Sequence, residues 1–279
     1  MKRTAGALAL LLLPATTSAA GLEISVHAGG VVSLYEQSVS FDPSGLVLPG
    51  GGVIPGGQAL RLEAEGGNVL GGAVTLFLAD WLGIEGRLDA ADLGLQATGA
   101  TYRVVVDLPA PLPDATGDLE LGAGTMDVER IRPWSLNLKL RTGGSVRLAL
   151  SGGVSYLPSL TVQSAQAVQL RAVNVPGLPA GSVLATVGLR AEALPEFEEN
   201  GRFGANAGLA LQFALGEHVA LVAEGRGFLF REHQLTWQRI GGPLTPLEQA
   251  LARELESRLD PITFNPNFFQ VTGGLALSF

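Results

Sequence analysis

Eight stretches of the chain alternate with a period of two, the spacing that puts successive side chains on opposite faces of a strand. In the first, Leu22, Ile24, Val26, Ala28, Val32 and Leu34 share one face, against Glu23, Ser25, His27, Gly29 and Ser33. Segment 69–78 sets Leu70, Val74, Leu76 and Leu78 against Gly71, Ala73 and Thr75, and 82–89 sets Leu82, Ile84 and Leu88 against Gly83, Glu85, Arg87 and Asp89. Segments 134–141, 146–156, 203–213, 219–229 and 269–279 repeat the pattern. Such stretches are long enough to cross a membrane as tilted strands. The connections at 79–82, 142–145 and 216–218 are very short, and those at about 36–66, 94–130, 158–200 and 232–265 are long. Short periplasmic turns alternating with long extracellular loops are the asymmetry of outer-membrane barrels. An even strand count puts both termini on the periplasmic side. The pattern therefore predicts an all-β fold, an eight-stranded antiparallel transmembrane β-barrel with long extracellular loops and one short loop helix. Segments 101–108, 118–130, 168–175 and 183–194 also look extended. They prolong the hairpins above the membrane, or they add wall strands and raise the count to ten or twelve.

The polar set separates this from a soluble barrel or sandwich. A water-facing set would be rich in Lys, Glu and Thr, whereas here it is mostly Gly, Ala and Ser with a few charges, as suits a narrow lumen. Composition agrees. The chain is 47% hydrophobic and only 16% charged, against roughly 25% charged in ordinary soluble domains. No run beyond the N-terminus approaches the length of a spanning helix. The absence of cysteine removes a disulfide framework and a thiolate metal site. No metal cluster is apparent, and no cofactor is expected.

The N-terminus reads as an export signal. Lys2 and Arg3 precede a short apolar stretch from Ala5 to Leu13, Pro14 breaks it, and Ser18-x-Ala20 suits signal peptidase. Residues 1–20 are then the signal peptide and 21–279 the barrel domain. Removal takes the net charge from −8 to −10, which leaves no electrostatic footprint for nucleic acid. The expected location is the cell outer membrane.

The segments 72–89 (GAVTLFLADWLGIEGRLD), 145–156 (SVRLALSGGVSY) and 204–226 (GANAGLALQFALGEHVALVAEGR) resemble the walls of small outer-membrane barrels of the OmpA-like and OmpW-like type. An Asn265-Pro266 pair before a closing strand that ends in Phe279 is similar to the OmpW-like ending. The resemblance implies that Phe279 is the assembly signal read by the barrel-assembly machinery. Two departures stand out: no peptidoglycan-binding domain is expected after the barrel, and at 6% aromatic residues the interfacial girdles are sparse.

Candidate chemistry lies on the inward phase. Glu85, Arg87, Asp89, Lys139, Arg141, Arg147, Glu224 and Arg226 fall there together with Glu23. An eight-stranded bore is narrow enough for side chains to fill it, so these charges must pair. They form either an interior salt-bridge network or an ion-selective constriction. Glu85 and Lys139, on neighbouring strands near the short turns, are expected to meet. His27, with Ser25 and Ser33 on its strand face, is the one place a catalytic set could start, but no matching motif accompanies it. The glycine-rich stretches 49–52 and 56–57 lack the Lys-Ser/Thr of a phosphate loop.

In the last long connection Thr245, Pro246 and Glu248 make a helix start with a capping box. Leu247, Leu251, Leu255 and Leu259 form a stripe, and Asp260-Pro261 ends it. The stripe packs on the barrel rim or another loop, or serves as a lid or partner surface. Phe228, Phe230 and Phe268 fall near the outer end on the inward phase, above a small set of Gly204, Gly208, Ala210, Gly274 and Ala276. They either plug the lumen or form an apolar mouth over room for a small apolar solute. The leading expectation is a non-enzymatic outer-membrane protein with a structural or surface-contact role, in contact with outer-membrane lipid. A passive channel or binding barrel for small apolar molecules comes second, and a lipid-modifying enzyme third.

Overall fold

A computed structural model describes residues 21–39, 60–106, 114–121, 124–158, 162–193, 201–259 and 261–279. The expected signal peptide, 1–20, and the glycine-rich stretches 49–52 and 56–57 lie outside the described residues. The chain forms β1 (Gly21–Ser33), β2 (Glu36–Val39), β3 (Leu60–Glu65), β4 (Gly67–Ala79), β5 (Leu82–Thr98) and β6 (Ala100–Val106). There follow β7 (Ala115–Leu121), β8 (Gly124–Ile131), β9 (Trp134–Arg141), β10 (Val146–Leu157), β11 (Val162–Asn174) and β12 (Val183–Ala193). After β13 (Arg202–Ala214), β14 (Val219–Phe230) and β15 (His233–Ile240) come the helix α1 (Pro246–Arg258), β16 (Ile262–Phe264) and β17 (Phe268–Ser278).

The eight strands read from the alternation form a closed antiparallel wall. Its order is β1, β4, β5, β9, β10, β13, β14, β17 and back to β1. The last seam joins β1 to β17: Leu22 N–H donates to Phe279 O at 3.2 Å, and Phe279 N–H donates to Leu22 O at 2.8 Å. A wall without an edge leaves no ladder group unpaired, which is the condition for strands to sit in lipid. Its outer face is apolar, with Leu70, Leu136 and Phe203 about two-thirds exposed. Its inner face carries the polar phase, with Glu23, Glu85, Asp89 and Arg226 buried. This is a transmembrane β-barrel.

The additional extended segments do not enlarge that wall. They continue it upward at the end away from the short turns, as a β head. β5 and β6 together run from residue 82 to 106, about 80 Å of chain at ~3.3 Å per residue. Pairing carries on through β2–β3, β3–β5, β5–β8, β6–β7, β7–β11, β8–β11, β11–β12, β12–β15 and β15–β16. The count of wall strands is therefore eight, not ten or twelve.

Where wall passes into head, the pattern turns inside out. Asp89 is the last inward charge on β5; Ala91 and Leu93 face inward and are buried. Asp92 faces outward and pairs with Arg130 at 2.7 Å, both well exposed. The head thus has an ordinary dry core, in which Tyr102, Leu119, Val168, Val187 and Trp237 pack together. Helix α1 belongs to that core. Leu251 and Leu255 are fully buried and Leu259 nearly so, which settles the stripe as a packing face.

The start of α1 holds more than itself. Thr245 Oγ1 accepts from Glu248 N at 3.3 Å, and Glu248 Oε2 accepts from Thr245 N at 2.9 Å. The other carboxylate oxygen accepts the backbone N–H of Thr186, on β12, at 3.2 Å. There β12 has run past the last residue of β15 that pairs with it, Ile240 opposite Gly188, so Glu248 caps a strand edge.

Two tests follow from the head. Leu255→Ala should destabilise it by about 2–5 kcal/mol, read as faster limited proteolysis of the head while the wall stays protected. Hydrogen bonds from the Thr245 backbone and hydroxyl, and from the Thr186 backbone, hold the Glu248 carboxyl below its usual range. A lowered folded value gives stability that is complete above the unfolded pKa, about 4.3, and lost as pH falls through the folded value. Amide-exchange protection of 246–258 should therefore stay constant from neutral pH to about pH 5 and fall below that. Glu248→Gln should abolish that dependence.

Candidate functional site

Among the described residues the buried charged side chains concentrate in the lumen, and the phase of the eight wall strands puts them there. At the short-turn end Glu23 on β1 accepts from Lys139 Nζ at 2.7 Å, Arg141 Nη1 at 3.3 Å and Gln212 Nε2 at 3.3 Å. The Arg141 guanidinium also stacks 3.5 Å above the Phe77 ring. One layer up, Glu85 lies 3.3 Å from Lys139 Nζ, accepts from Arg226 Nη2 at 3.0 Å and accepts from Asn137 Nδ2 at 2.9 Å. Arg226 is the most enclosed cation, 1% exposed. It donates to Glu224 Oε1 at 2.7 Å, to Ser151 Oγ at 2.6 Å and to Asn206 Oδ1. Arg87 bridges from Glu224, at 2.7 Å, to Asp89, also at 2.7 Å.

Four carboxylates (Glu23, Glu85, Asp89, Glu224) thus face four permanent cations (Arg87, Lys139, Arg141, Arg226). The balance is what burial demands: each ion keeps its charge only because partners replace the water it lost. Ser135, Asn137, Ser155 and Asn206 hydrogen-bond one another beside the ions.

Arg147, expected in this network, lies outside it. It is on the inward phase but beside the 142–145 turn, where its Nε donates to Gly144 O at 3.0 Å at the open rim. The expected Glu85–Lys139 contact forms. The small inward residues do not leave room for a solute: a Cβ at Gly208 would meet Glu224 Oε1 at 2.7 Å and Arg226 Nε at 3.0 Å. Gly208 thus makes space for the charged side chains of β14, and Gly204 for the Phe230 ring. Among Glu23, Glu85, Lys139, Gln212, Glu224 and Arg226 there remains a cavity of about 20 Å³, enough for a single water molecule.

His27 belongs to the same network. Its Nε2 lies 2.6 Å from Asp89 Oδ1 and 2.8 Å from Arg87 Nη2. One nitrogen cannot donate to the acid and accept from the guanidinium at once. Arg87 already bonds Asp89 Oδ2 directly, so Nε2–H donation to Asp89 is the consistent assignment. Ser33 Oγ accepts instead from Tyr35 N at 3.3 Å, and no serine hydroxyl bonds His27 among the described residues.

Above the charges, Phe228, Phe230 and Phe268 are buried and stacked, with centroids 4.5 Å apart for Phe228–Phe268, 6.3 Å for Phe228–Phe230 and 6.5 Å for Phe230–Phe268. They merge with the head core rather than framing an open mouth. Asn267 pins them: its Oδ1 accepts from Phe230 N at 2.7 Å and its O from Leu34 N at 2.9 Å. Beside it Tyr35 Oη donates to Thr263 O at 3.1 Å, closing the junction of β1 and β16. Burial pushes the Tyr35 phenol up, so it stays a donor. Opposite Arg226 and Glu224 on β14, the Gln270 amide and the Thr272 hydroxyl are buried without a hydrogen-bond partner among the described residues.

Alternation marks the charges and rings but not Asn137, Asn206, Gln212 and Phe77 as their partners. Their inward phase was visible; which residue meets which depends on wall stagger. Phe279 stands at the short-turn rim, outward and 71% exposed, in phase with Leu275 and Leu277.

The class so defined is a small transmembrane barrel with a filled bore and a folded head. No protein-family profile and no curated protein sequence matches the chain. Among solved structures it is similar to the outer membrane protein OprG from Pseudomonas aeruginosa, at 15% identity, covering 94% of this chain and 96% of that one with a TM-score of 0.42. A Pseudomonas aeruginosa FadL homologue is more distant, at 8% identity, 93% and 90% coverage and a TM-score of 0.18. With TM-scores this low, the fold assignment rests on the closed wall of this chain itself.

Glu85 gives the direct test of the network. Glu85→Ala leaves Arg226 and Lys139 short of a partner, and such a loss typically costs ~3–5 kcal/mol. Glu217→Ala, in an exposed turn, should stay within about 0.5 kcal/mol. Glu196, in a long connection, lies outside the described residues. Denaturant midpoints in detergent micelles measure both; equal midpoints would mean the Glu85 carboxylate is solvated.

Proposed function

We propose that this chain is a non-enzymatic outer-membrane protein. It is exported through a cleaved signal at residues 1–20, delivered to the barrel-assembly machinery by the Phe279 ending, and held in outer-membrane lipid by the wall. The barrel is an anchor, and the β head is the surface it presents outside the cell. The observation that carries this reading is that the bore is filled twice along its axis, first by the charge-balanced network and then by the Phe228–Phe230–Phe268 stack. A head with its own dry core and capped helix is the remaining feature a function can use. An apolar-solute channel fits less well, because the three rings contact each other and the space over Gly208 and Gly204 is taken by Glu224, Arg226 and Phe230.

The experiment is planar-bilayer recording of the refolded full chain. The wild type should show no stable open level. Phe228→Ser/Phe230→Ser should remain closed as well, because the charged layer beneath is a second seal in series. A steady open level in the wild type, or an apolar solute protected by binding to it, would overturn the anchor reading.

A further inference from the structure

The outer face of the wall is not evenly covered. Two outward positions on neighbouring strands are glycines, Gly72 on β4 and Gly86 on β5, and a Cβ at Gly86 would meet nothing within 4 Å. Taller neighbours such as Val74 and Leu136 flank them and leave a groove of about 830 Å³ on the lipid-facing side. At its head-side end the groove meets a continuous row. Leu88 pairs with Trp134, Trp134 with Tyr156, and Tyr156 with Phe203, and the last two rings meet tilted, with centroids 5.0 Å apart. Two residues above Trp134 on the same face stands Arg132, exposed and without an ion pair among the described residues. Arg130, the next cation up that face, is already held by Asp92.

We infer that this groove is a binding site for one anionic, phosphate-bearing membrane lipid, its acyl chain along Gly72 and Gly86 and its headgroup at Arg132. The chemistry assigns the two ends separately. The groove is almost wholly apolar and opens onto the belt that faces acyl chains, so its occupant is a hydrocarbon chain. Aromatic rings mark the level where chain gives way to headgroup. A guanidinium just beyond them, with no carboxylate of its own, favours a negative head over a neutral one. A second copy of this barrel would have to present a ridge to the groove, and it would leave Arg132 unanswered.

The inference rests on the membrane reading of the barrel. The experiment uses the refolded full chain in micelles doped with equal dimyristoyl phosphatidylglycerol and dimyristoyl phosphatidylcholine, with retained lipid counted by native mass spectrometry. The wild type should retain the anionic lipid in preference. Gly86→Phe fills the groove from an open position and should retain neither. Arg132→Gln should keep chain binding and lose about fivefold of the preference, one basic group's worth near a charged surface. Ala223→Phe, exposed on the opposite wall, should behave as wild type. Gly86→Leu gives the same reading should Gly86→Phe not fold. Unchanged retention in a folded Gly86 variant overturns the site, and so does a wild-type dimer that the variant dissociates, since a second copy would then cover the groove. Failure of the wild type to shift its mobility on heating would instead remove the membrane reading, which keeps the two outcomes distinct.

Discussion

Closure of the wall governs the rest of the molecule. Once β1 is bonded to β17 there is no free edge, and eight strands fix a bore that side chains can span. Every inward residue then competes for the same narrow volume. That is why Gly208 lies where Glu224 and Arg226 cross, and Gly71 where Asp89 and His27 meet. It also explains why the inward charges must balance. With little water in the bore, the partner of each ion has to be another side chain, and Glu85 links two pairs into one network, because Lys139 also holds Glu23 and Arg226 also holds Glu224.

The same strands serve two solvents. Below Asp89 the apolar face looks out and the polar face in; above it the arrangement reverses, with Leu93 inside and Asp92 outside. The reversal needs no domain boundary, since β5 runs through it as one strand. The three phenylalanines sit at this change of regime. They seal the charged layer on one side and are continuous with the dry core on the other, so plug and core are one packing unit.

How much of this was legible in the sequence follows from which interactions are local. The eight wall strands were readable because each alternates by itself over a span long enough to cross a membrane, and α1 because Thr245, Glu248 and the leucine stripe are neighbours in sequence. The inward charges were readable as a set from phase alone. Their pairing was not: Glu23 meets Lys139 from more than a hundred residues away, through a stagger that alternation does not encode. Arg147 shows the limit of phase, which gives direction but not depth. The segments at 101–108, 118–130, 168–175 and 183–194 were recognisably extended, yet a strand prolonging a hairpin and one entering the wall look alike until its partner is known. Asn267 and Tyr35, which hold the junction of wall and head, carried no signal, because one amide and one phenol in a loop look like any others.

Because each wall hairpin simply continues upward, the head has no stretch of sequence to call its own. Four separate connections, around 36–66, 94–130, 158–200 and 232–265, supply its strands and its helix. It cannot be excised by two cuts or transplanted as a cassette. Shortening any one of the last three alone would strip apolar side chains of their cover in the other two. A surface substitution on the head can be made in one hairpin alone, whereas a change of length has to be matched in the hairpins packed against it, so the surface is free in residue but bound in architecture.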